Sequence, residues 1–339
     1  MMEFVSNYGL FLAKAATILI FIWLLLSLIV SLTHKPQEQE QIEIKNLNER
    51  FDNLKLLMQV SILSKKQAKE LMKQNKKQNK KQNKKKDNED KRQRVFVLNF
   101  VGNIKASAVK HLRKEITALL AVATPEDEVV ICLENAGGMV HEHGFASSQL
   151  ERITQRNIPL TVAVDKVAAS GGYMMACVAD RIVAAPFSII GSIGVIAQLP
   201  NFNRLLDKHG IDYEQVKAGD LKRTLTMFGK NTDEDRERFT EQMEETHTLF
   251  KEFVAENRKQ IDIQEIATGE HWLGKRALEL KLVDELITSD DYLLRKSESA
   301  DVYEVKHSAP KSVSEKIMGN AQLAFEKVMT TLWERKLFS

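Results

Sequence analysis

From Val95 onward, short apolar runs alternate with segments of helical spacing, and this alternation constrains the fold more than any other feature. Apolar runs typical of buried strands occur at 95–101, 127–133, 159–164, 181–185 and 189–196. Helical spacing lies between them over 105–122 and 144–155, and a short helix follows Ser170. Strands that alternate with helices form βαβ units, so we predict an α/β domain with a mainly parallel sheet and right-handed crossovers.

Two more helices are predicted towards the carboxyl terminus. Thr232 followed by three acidic residues is a helix start of the capping-box type. It opens an amphipathic helix that continues to about Lys259. Residues 315–335 form a second amphipathic candidate without visible chemistry.

A long apolar stretch near the amino terminus predicts a membrane anchor. Residues 15–32 are eighteen uncharged, mostly apolar residues, close to the roughly 20 that cross a bilayer core. The stretch is longer than the apolar region of a signal peptide and lacks a good cleavage site, so we expect a retained single span over 10–32. Flanking positive charges lie mostly on its carboxyl side, which favours a cytoplasmic body; long domains can translocate regardless of charge.

Residues 33–94 are predicted to form an amphipathic stalk and a Lys-rich linker. Apolar residues recur at helical steps from Glu38 to about Glu70. Residues 65–94 contain fourteen Lys or Arg and four Asp or Glu, a net charge of +10. The whole chain carries +3, so the remainder carries −7.

The linker repeat KQNKKQNKKQNKKK (73–86) has no apolar residue and cannot bury a core. No aromatic residue lies between Phe51 and Phe96 on which a base could stack, so we expect no specific nucleic-acid binding. Loose contact with anionic lipid headgroups remains an alternative.

The cysteines and two closely spaced histidines give no sign of a metal or cofactor site. Cys132 and Cys177 both lie in apolar contexts and are predicted to be buried, reduced thiols. His141 and His143 have no third ligand at a sensible spacing, so we expect both to face solvent. We therefore expect neither a metal nor a cofactor.

Two glycine pairs each follow a predicted strand. Gly137-Gly138 follows VVICLENA, and Gly171-Gly172 follows Ser170 in VAASGGY. Such turns at the carboxyl edge of a parallel sheet expose backbone N–H groups, and two of them can converge on one oxyanion. Ser170 is then either a nucleophile or a hydroxyl in a tight turn, and each glycine pair can equally be a helix-packing turn.

A nucleophilic serine needs a base, and the two histidines near the glycine turns have no obvious orienting aspartate. A lysine held neutral by burial can take this role. Lys166 lies four residues before Ser170 and is expected to point to solvent, whereas Lys222 lies in the polar turn VKAGDLKRTLT. Spacing alone leaves both candidates open.

Five ordered motifs carry a family resemblance. They are LENAGGMV, VDKVAASGGYMMACVADRIVA, GSIGV, AGDLKRTLT and ATGEHWLGKRALELKLVDEL. In this order they resemble the signal peptide peptidase A family of serine peptidases, most closely its shorter membrane-anchored members. The resemblance implies a crotonase-like (ClpP-like) α/β fold with βαβ units as a serine peptidase domain over 95–290. One N-terminal transmembrane helix and the basic linker would precede it, and a C-terminal amphipathic extension over 291–339 would follow.

The resemblance also implies a Ser–Lys dyad. Ser170 would be the nucleophile and Lys222 the general base, with Ser192 in GSIGV hydrogen-bonded to the lysine and orienting it. Backbone N–H groups of Gly138 and Gly171 would form the oxyanion hole.

One stretch departs from the family pattern. The first turn usually reads Ser-Pro-Gly-Gly, and here Asn135-Ala136 replaces Ser-Pro. Loss of proline is expected to loosen the entry to this turn, although Gly137, which would shape it, and Gly138 are both present.

The implied function is a membrane-anchored serine endopeptidase that cleaves short hydrophobic peptides, such as signal-peptide remnants. It would act at the bacterial inner membrane with its catalytic domain on the periplasmic side. Tyr173, Met174 and Met139 would line apolar pockets or belong to the core. Relatives form rings, so we expect a homo-oligomer whose dyad forms within one subunit or between neighbours.

Two other functions fit the same fold. An acyl-CoA hydratase or isomerase would use the two turns for a thioester oxyanion, but no acidic catalytic pair or CoA site is evident. A non-enzymatic membrane scaffold would retain the fold without the chemistry.

Overall fold

The computed structural model describes residues 9, 11, 14, 16–23, 41–74, 92–219 and 225–308. The chain divides into two compact units. The larger comprises Ile42–His307, and the smaller comprises Met1–Gln41 with Ser308–Ser339. In the smaller unit, residues 16–23 are helical.

Much of the predicted anchor and linker lies outside the described residues, as do residues 309–339 with the predicted helix over 315–335. This holds for most of the span over 10–32 and for residues 75–91. Within the described ranges, no helix has both the length and the apolar character needed to cross a membrane.

Strands and helices alternate through the larger unit, as predicted. The strands are β1 (Gln41–Asn46), β2 (Arg94–Val101), β3 (Glu128–Glu134), β4 (Leu160–Val164), β5 (Val167–Ala169), β6 (Arg181–Ala184), β7 (Ile189–Gly191), β8 (His271–Leu273), β9 (Glu285–Leu286) and β10 (Asp301–Ser308). The helices are α1 (Leu47–Ile62), α2 (65–74), α3 (Val109–Leu120), α4 (Val140–Thr154), α5 (Gly171–Ala176), α6 (Asn203–Lys208), α7 (Asp233–Asn257), α8 (Ile263–Ile266), α9 (Gly274–Glu279) and α10 (Ser289–Ser299).

The main sheet has seven strands in the order β1-β10-β2-β3-β4-β6-β9, and the pairings from β10 to β9 are parallel. Alternate residues of β2 enter different apolar clusters, as expected for a strand that packs on both faces. Phe96 and Leu98 pack with α3 and α4, whereas Val95 and Val97 pack with α1 and α10. The α/β class with a mainly parallel sheet is therefore confirmed.

Four predicted strands match β2, β3, β4 and β6 closely, but the predicted strand over 189–196 ends at Gly191. It ends there because Ser192 has a φ of 52°, which no extended strand accommodates. The capping box is confirmed: the Thr232 hydroxyl accepts from the Asp235 N–H at 3.1 Å, and the Asp235 carboxylate accepts from the Thr232 N–H at 2.9 Å.

Two segments assigned to appendages are strands of the main sheet instead. The helical prediction over Glu38–Glu70 is wrong for β1, where Ile42 and Ile44 alternate in a strand pattern; the Asn46 side chain then accepts from the Glu49 N–H and starts α1. In the predicted extension over 291–339, β10 lies between β1 and β2.

A smaller sheet has the strand order β5-β7-β8, and Ser170 and Ser192 directly follow two of its strands. Strands β5 and β7 are parallel with Ala169 opposite Gly191, and β7 and β8 are antiparallel. A bridge between Asn135 and Ala168 joins the end of β3 to β5. Both glycine turns are thereby drawn to one edge.

Candidate active site

Ser170 lies at the junction of β5 and α5 in a conformation that residues other than glycine rarely adopt. Its φ is 51° and its ψ is −120°. Its N–H donates to the Gly191 carbonyl at 2.8 Å, and its carbonyl accepts from the Met174 N–H at 2.9 Å. Ser170 is partly exposed between buried neighbours. Such sparsely populated conformations cost about 1–3 kcal/mol and concentrate at functional sites.

The first glycine turn lies directly against Ser170. Gly137 has a φ of 92°, and a Cβ added to it would lie 2.7 Å from the Ser170 Cβ and 2.8 Å from the Gly171 nitrogen. A Cβ on Gly138 would lie 2.2 Å from the Ile104 carbonyl oxygen. Only glycine fits at either position, and the turn is in contact with the start of α5.

Two backbone N–H groups at this contact have no partner among the described residues. The Gly137 N–H donates to Asn135 Oδ1 at 2.9 Å. The N–H groups of Gly138 and Gly171 donate to no described residue; Gly171 is the first residue of α5, where a helical N–H has no intrahelical acceptor. Two such groups beside a serine can stabilise an oxyanion.

Ser192 occupies the equivalent position at the end of the neighbouring strand. The parallel register pairs Ala169 with Gly191, so Ser170 and Ser192 are the next residues of adjacent strands. Ser192 also has a positive φ, 52°, and its N–H donates to the Glu270 carbonyl at 2.7 Å. The two serines therefore leave the small sheet side by side.

Comparison with known families assigns the chain. The profile described as Peptidase family S49 N-terminal matches residues 3–150, and the profile described as Peptidase family S49 matches residues 152–303. The chain belongs to peptidase family S49. It is a serine-type protease, and the resemblance to the signal peptide peptidase A family is confirmed.

The S49 chain has relatives over nearly its whole length. "Probable protease SohB" of Haemophilus influenzae is 48% identical over 330 residues, which cover 94% of each chain. "Putative protease SohB" of Buchnera aphidicola subsp. Baizongia pistaciae is 38% identical and covers 99% of this chain and 100% of its own. Among solved structures, a 1510-N membrane-bound stomatin-specific protease in complex with a substrate peptide has a TM-score of 0.42 at 15% identity, covering 68% of this chain and 98% of that one.

Of the two lysines considered as the base of this S49 chain, the structure describes one. Lys166 is exposed as predicted, with its Nζ 2.9 Å from Glu134 Oε2. It lacks the burial that a lysine base requires. Lys222 lies between the described ranges 92–219 and 225–308.

His143 is wholly buried, which corrects the expectation that both histidines face solvent. Its Nδ1 lies 2.9 Å from the Met139 carbonyl oxygen, and its Nε2 lies 3.3 Å from Asn135 Oδ1. His141 is exposed as expected. The signal was present in the sequence, because His143, Ala146 and Leu150 recur at helical spacing on the buried face of α4.

The three residues considered for apolar pockets differ in burial. Tyr173 and Met174 are buried in the core, where the Tyr173 hydroxyl donates to the Leu282 carbonyl at 2.9 Å. Burial raises the pKa of the Tyr173 phenol. Met139, at the start of α4, is exposed together with Val140 and Ile104. Apolar surface beside the first glycine turn therefore comes from these three residues.

Neither cysteine suits a nucleophilic role. Both are free, as predicted; Cys177 is buried and Cys132 partly so. Burial raises the pKa of the Cys132 thiol to about 12, so little thiolate forms at neutral pH. Within the described residues, no group of three or more His, Cys, Asp or Glu side chains could hold a metal ion.

Proposed function

We propose that this S49 chain is a membrane-anchored serine endopeptidase in which Ser170 is the nucleophile and Lys222 the general base. One observation carries the assignment. Ser170 is a strained residue at a strand-to-helix junction, in contact with the Gly137-Gly138 turn and followed by Gly171, whose N–H has no partner among the described residues. A serine in an ordinary tight turn would require neither the strain nor two unused donors.

In the proposed reaction, Ser170 Oγ attacks the carbonyl carbon of the scissile bond while Lys222 takes the hydroxyl proton. The oxyanion of the tetrahedral intermediate accepts hydrogen bonds from the Gly138 and Gly171 N–H groups. The C–N bond then breaks, and Lys222 returns the proton to the leaving amine. A water molecule, deprotonated by Lys222, hydrolyses the acyl-enzyme and restores Ser170.

Ser192 is proposed to orient the Lys222 amine through its hydroxyl. Its place beside Ser170 at the ends of paired strands supports this role. Both serines lie at one edge of the small sheet. The proposed role therefore holds whether Lys222 comes from the same subunit or from a neighbouring one.

A fluorophosphonate probe tests the dyad on the full-length protein in detergent micelles. We expect wild-type protein to be labelled, Ser170→Ala to remain unlabelled, and Lys222→Ala to lose roughly 100-fold or more in labelling rate. Lys166→Ala is the matched control, and its labelling rate should equal that of wild type. Labelling that persists in Ser170→Ala, or that is lost in Lys166→Ala and kept in Lys222→Ala, contradicts the assignment.

The substrates are proposed to be short hydrophobic peptides, such as signal-peptide remnants, cleaved near the bilayer. Exposed Ile104, Met139 and Val140 beside the first turn support an apolar preference. Two peptides that carry either leucine or lysine at one position near the cleaved bond should differ at least tenfold in kcat/KM, with the leucine peptide cleaved faster. Equal rates would refute this preference.

The anchor is proposed from the apolar stretch 15–32, and its orientation from the family resemblance, against the flanking positive charges. We place the catalytic domain on the periplasmic side of the inner membrane. A carboxyl-terminal alkaline phosphatase fusion should be active, and the protein should resist alkaline carbonate extraction. An inactive phosphatase fusion with an active cytoplasmic reporter would reverse the topology.

A homo-oligomer is proposed from the surface that follows β7. Several large apolar side chains there are exposed: Ile196, Leu199, Leu205, Ile211, Val216 and Phe228. Exposed apolar side chains concentrated in one stretch of chain are typical of an interaction surface. Mass photometry in detergent should show a multiple of the 38.6 kDa chain, and Val216→Glu should shift it towards the monomer.

A further inference from the structure

Asn135 holds the first glycine turn through its side chain. Its Oδ1 accepts from the Gly137 N–H, two residues further on, which is an Asx turn. Its backbone is fixed by two hydrogen bonds to β5, from its own N–H to the Val167 carbonyl and from the Ala169 N–H to its carbonyl. The residue is buried and its Nδ2 lies 3.3 Å from Met175 Sδ. The turn contains no proline, so this side chain supplies the restraint.

His143 connects that side chain to the second glycine turn. Its Nε2 lies 3.3 Å from Asn135 Oδ1. Its ring also lies under Gly171, where an added Cβ would be 2.4 Å from the imidazole Cγ. One buried ring therefore contacts both turns: its Nε2 lies within hydrogen-bond distance of the Asn135 side chain, and the ring packs against Gly171.

The carbonyl of Asn135 limits the second turn from another side. A Cβ on Gly172 would lie 2.0 Å from the Asn135 carbonyl oxygen. Gly171 and Gly172 thus rest on His143 and Asn135 respectively. Any displacement of Asn135 or His143 therefore moves one glycine turn relative to the other.

We propose that Asn135 and His143 are positioning residues that set the separation of the Gly138 and Gly171 N–H groups. The proposal rests on the proposed serine-protease function. His143 is not the base: its Nδ1 faces the Met139 carbonyl and its Nε2 faces Asn135, and no hydrogen bond joins it to Ser170 in the described part of the chain. Both residues act through the backbone donors.

A positioning role predicts a particular kinetic pattern. The donors engage the oxyanion only after Ser170 attacks, so misplacing them weakens the transition state and leaves substrate binding unchanged. A peptide aldehyde, which forms a hemiacetal with the serine, should lose affinity in step with kcat. General loosening of the fold would instead lower the melting temperature and raise KM.

The experiment compares two substitutions of one residue in the full-length protein in micelles. His143→Phe keeps a ring under Gly171 and removes the polar contact between Nε2 and Asn135 Oδ1. His143→Gln places an amide donor near the Nε2 position. His141→Gln, exposed on the same helix, is the matched control. For each variant, kcat and KM on a fluorogenic peptide, aldehyde affinity and melting temperature are measured.

We expect His143→Phe to lose roughly tenfold to 100-fold in kcat and in aldehyde affinity, with KM within about twofold of wild type. His143→Gln should recover most of the loss, and His141→Gln should match wild type. If His143→Phe does not fold, Asn135→Ser replaces it as the test. The serine hydroxyl can still accept from the Gly137 N–H but is too short to reach His143, so kcat should fall with KM unchanged.

Unchanged kcat and aldehyde affinity in folded His143→Phe, or a change in KM alone, would overturn the positioning role. Ser170→Ala separates this failure from failure of the proposed function. If wild-type hydrolysis does not depend on Ser170, the proposed function falls and the positioning role with it. If hydrolysis requires Ser170 but not the contact between His143 and Asn135, only the positioning role is wrong.

Discussion

One buried polar residue lies at the amino end of strand β3 and another just past its carboxyl end, and the two differ in what their polar atoms do. At the amino end, Glu128 accepts from the Tyr292 hydroxyl at 2.6 Å, the Thr161 hydroxyl at 2.9 Å and the Lys296 ammonium at 2.5 Å. Just past the carboxyl end, Asn135 holds a turn in which the Gly138 N–H has no described partner.

This contrast separates stability from chemistry within one strand. Around Glu128 the polar atoms of three elements satisfy one another and fix α10 to the sheet. Beyond Asn135, Gly137 and Gly138 take positive φ values, and the Gly138 N–H donates to no residue that the structure describes. Ligands of open α/β sheets bind outside the carboxyl ends of the strands, so substitutions at the two ends should change different measured quantities.

The largest effect should come from Gly137→Ala at the carboxyl end. The new Cβ would displace Ser170 or the Gly171 nitrogen, and the φ of 92° disfavours alanine. We expect kcat/KM to fall roughly 10²- to 10³-fold. Gly144→Ala, whose Cβ would meet nothing within 4 Å, is the control and should leave kcat/KM unchanged. Similar activity in both variants would remove the distinction between the two ends.

The amino end should respond in stability. Glu128→Ala leaves the Tyr292 hydroxyl and the Lys296 ammonium without their shared acceptor, and we expect unfolding to cost about 2–4 kcal/mol less. Denaturant unfolding measures the loss, and kcat at a temperature where the variant is folded should equal that of wild type. Glu128→Gln, which keeps one acceptor oxygen, should lose less. A fall in kcat of the folded protein would contradict this division.

The smallest effect concerns Asp127, the residue before β3. Burial raises the pKa of its carboxyl, but hydrogen bonds from Arg94 and Thr124 outweigh burial, so the pKa lies below its usual value. A lowered folded-state pKa means that the stabilisation is present above the unfolded pKa of about 4 and is lost as pH falls through the folded value.

Arg94→Gln should therefore reduce the free energy of unfolding at pH 7 by about 1 kcal/mol, limited by the partial exposure of Arg94. The difference from wild type should shrink as the pH is lowered below about 4. Arg276→Gln removes a fully surface ion pair with Glu279 and serves as the control. A deficit that is constant across this pH range would exclude the Asp127 carboxylate as its source.

Sequence patterns predicted the elements whose periodicity and burial coincide. Strands β2, β3, β4 and β6 are continuous apolar runs because helices cover both faces of the sheet, and Thr232 with Asp235 marks the start of α7 through local bonds alone. Five ordered motifs predicted the family. In each case the signal lies within a few consecutive residues.

Other features depend on contacts that no local pattern encodes. The edge strand β1 is defined by the neighbouring β10, more than 250 residues away in sequence. Ser170 and Ser192 take positive φ values because each is held between elements distant in sequence. In the sequence, His143 and His141 form an H-x-H pair, whereas the contacts of His143 with Asn135 and Gly171 arise only in the folded chain.

The chain that leaves the small sheet at Ser192 returns to the same point. The Ser192 N–H donates to the Glu270 carbonyl at 2.7 Å, and the Gly269 N–H donates to the Ile193 carbonyl at 3.1 Å. The chain thus departs from the small sheet and comes back to it, and among its described residues after Ile193 and before β8, α7 rejoins the core by burying Phe250 and Val254. The length of the part before α7 can therefore change without shifting the ends of β5 and β7, provided that Lys222, the proposed base in this part, still reaches Ser170. Such changes would alter the surface that this part presents, while Ser170 and Ser192 keep their places at the ends of paired strands.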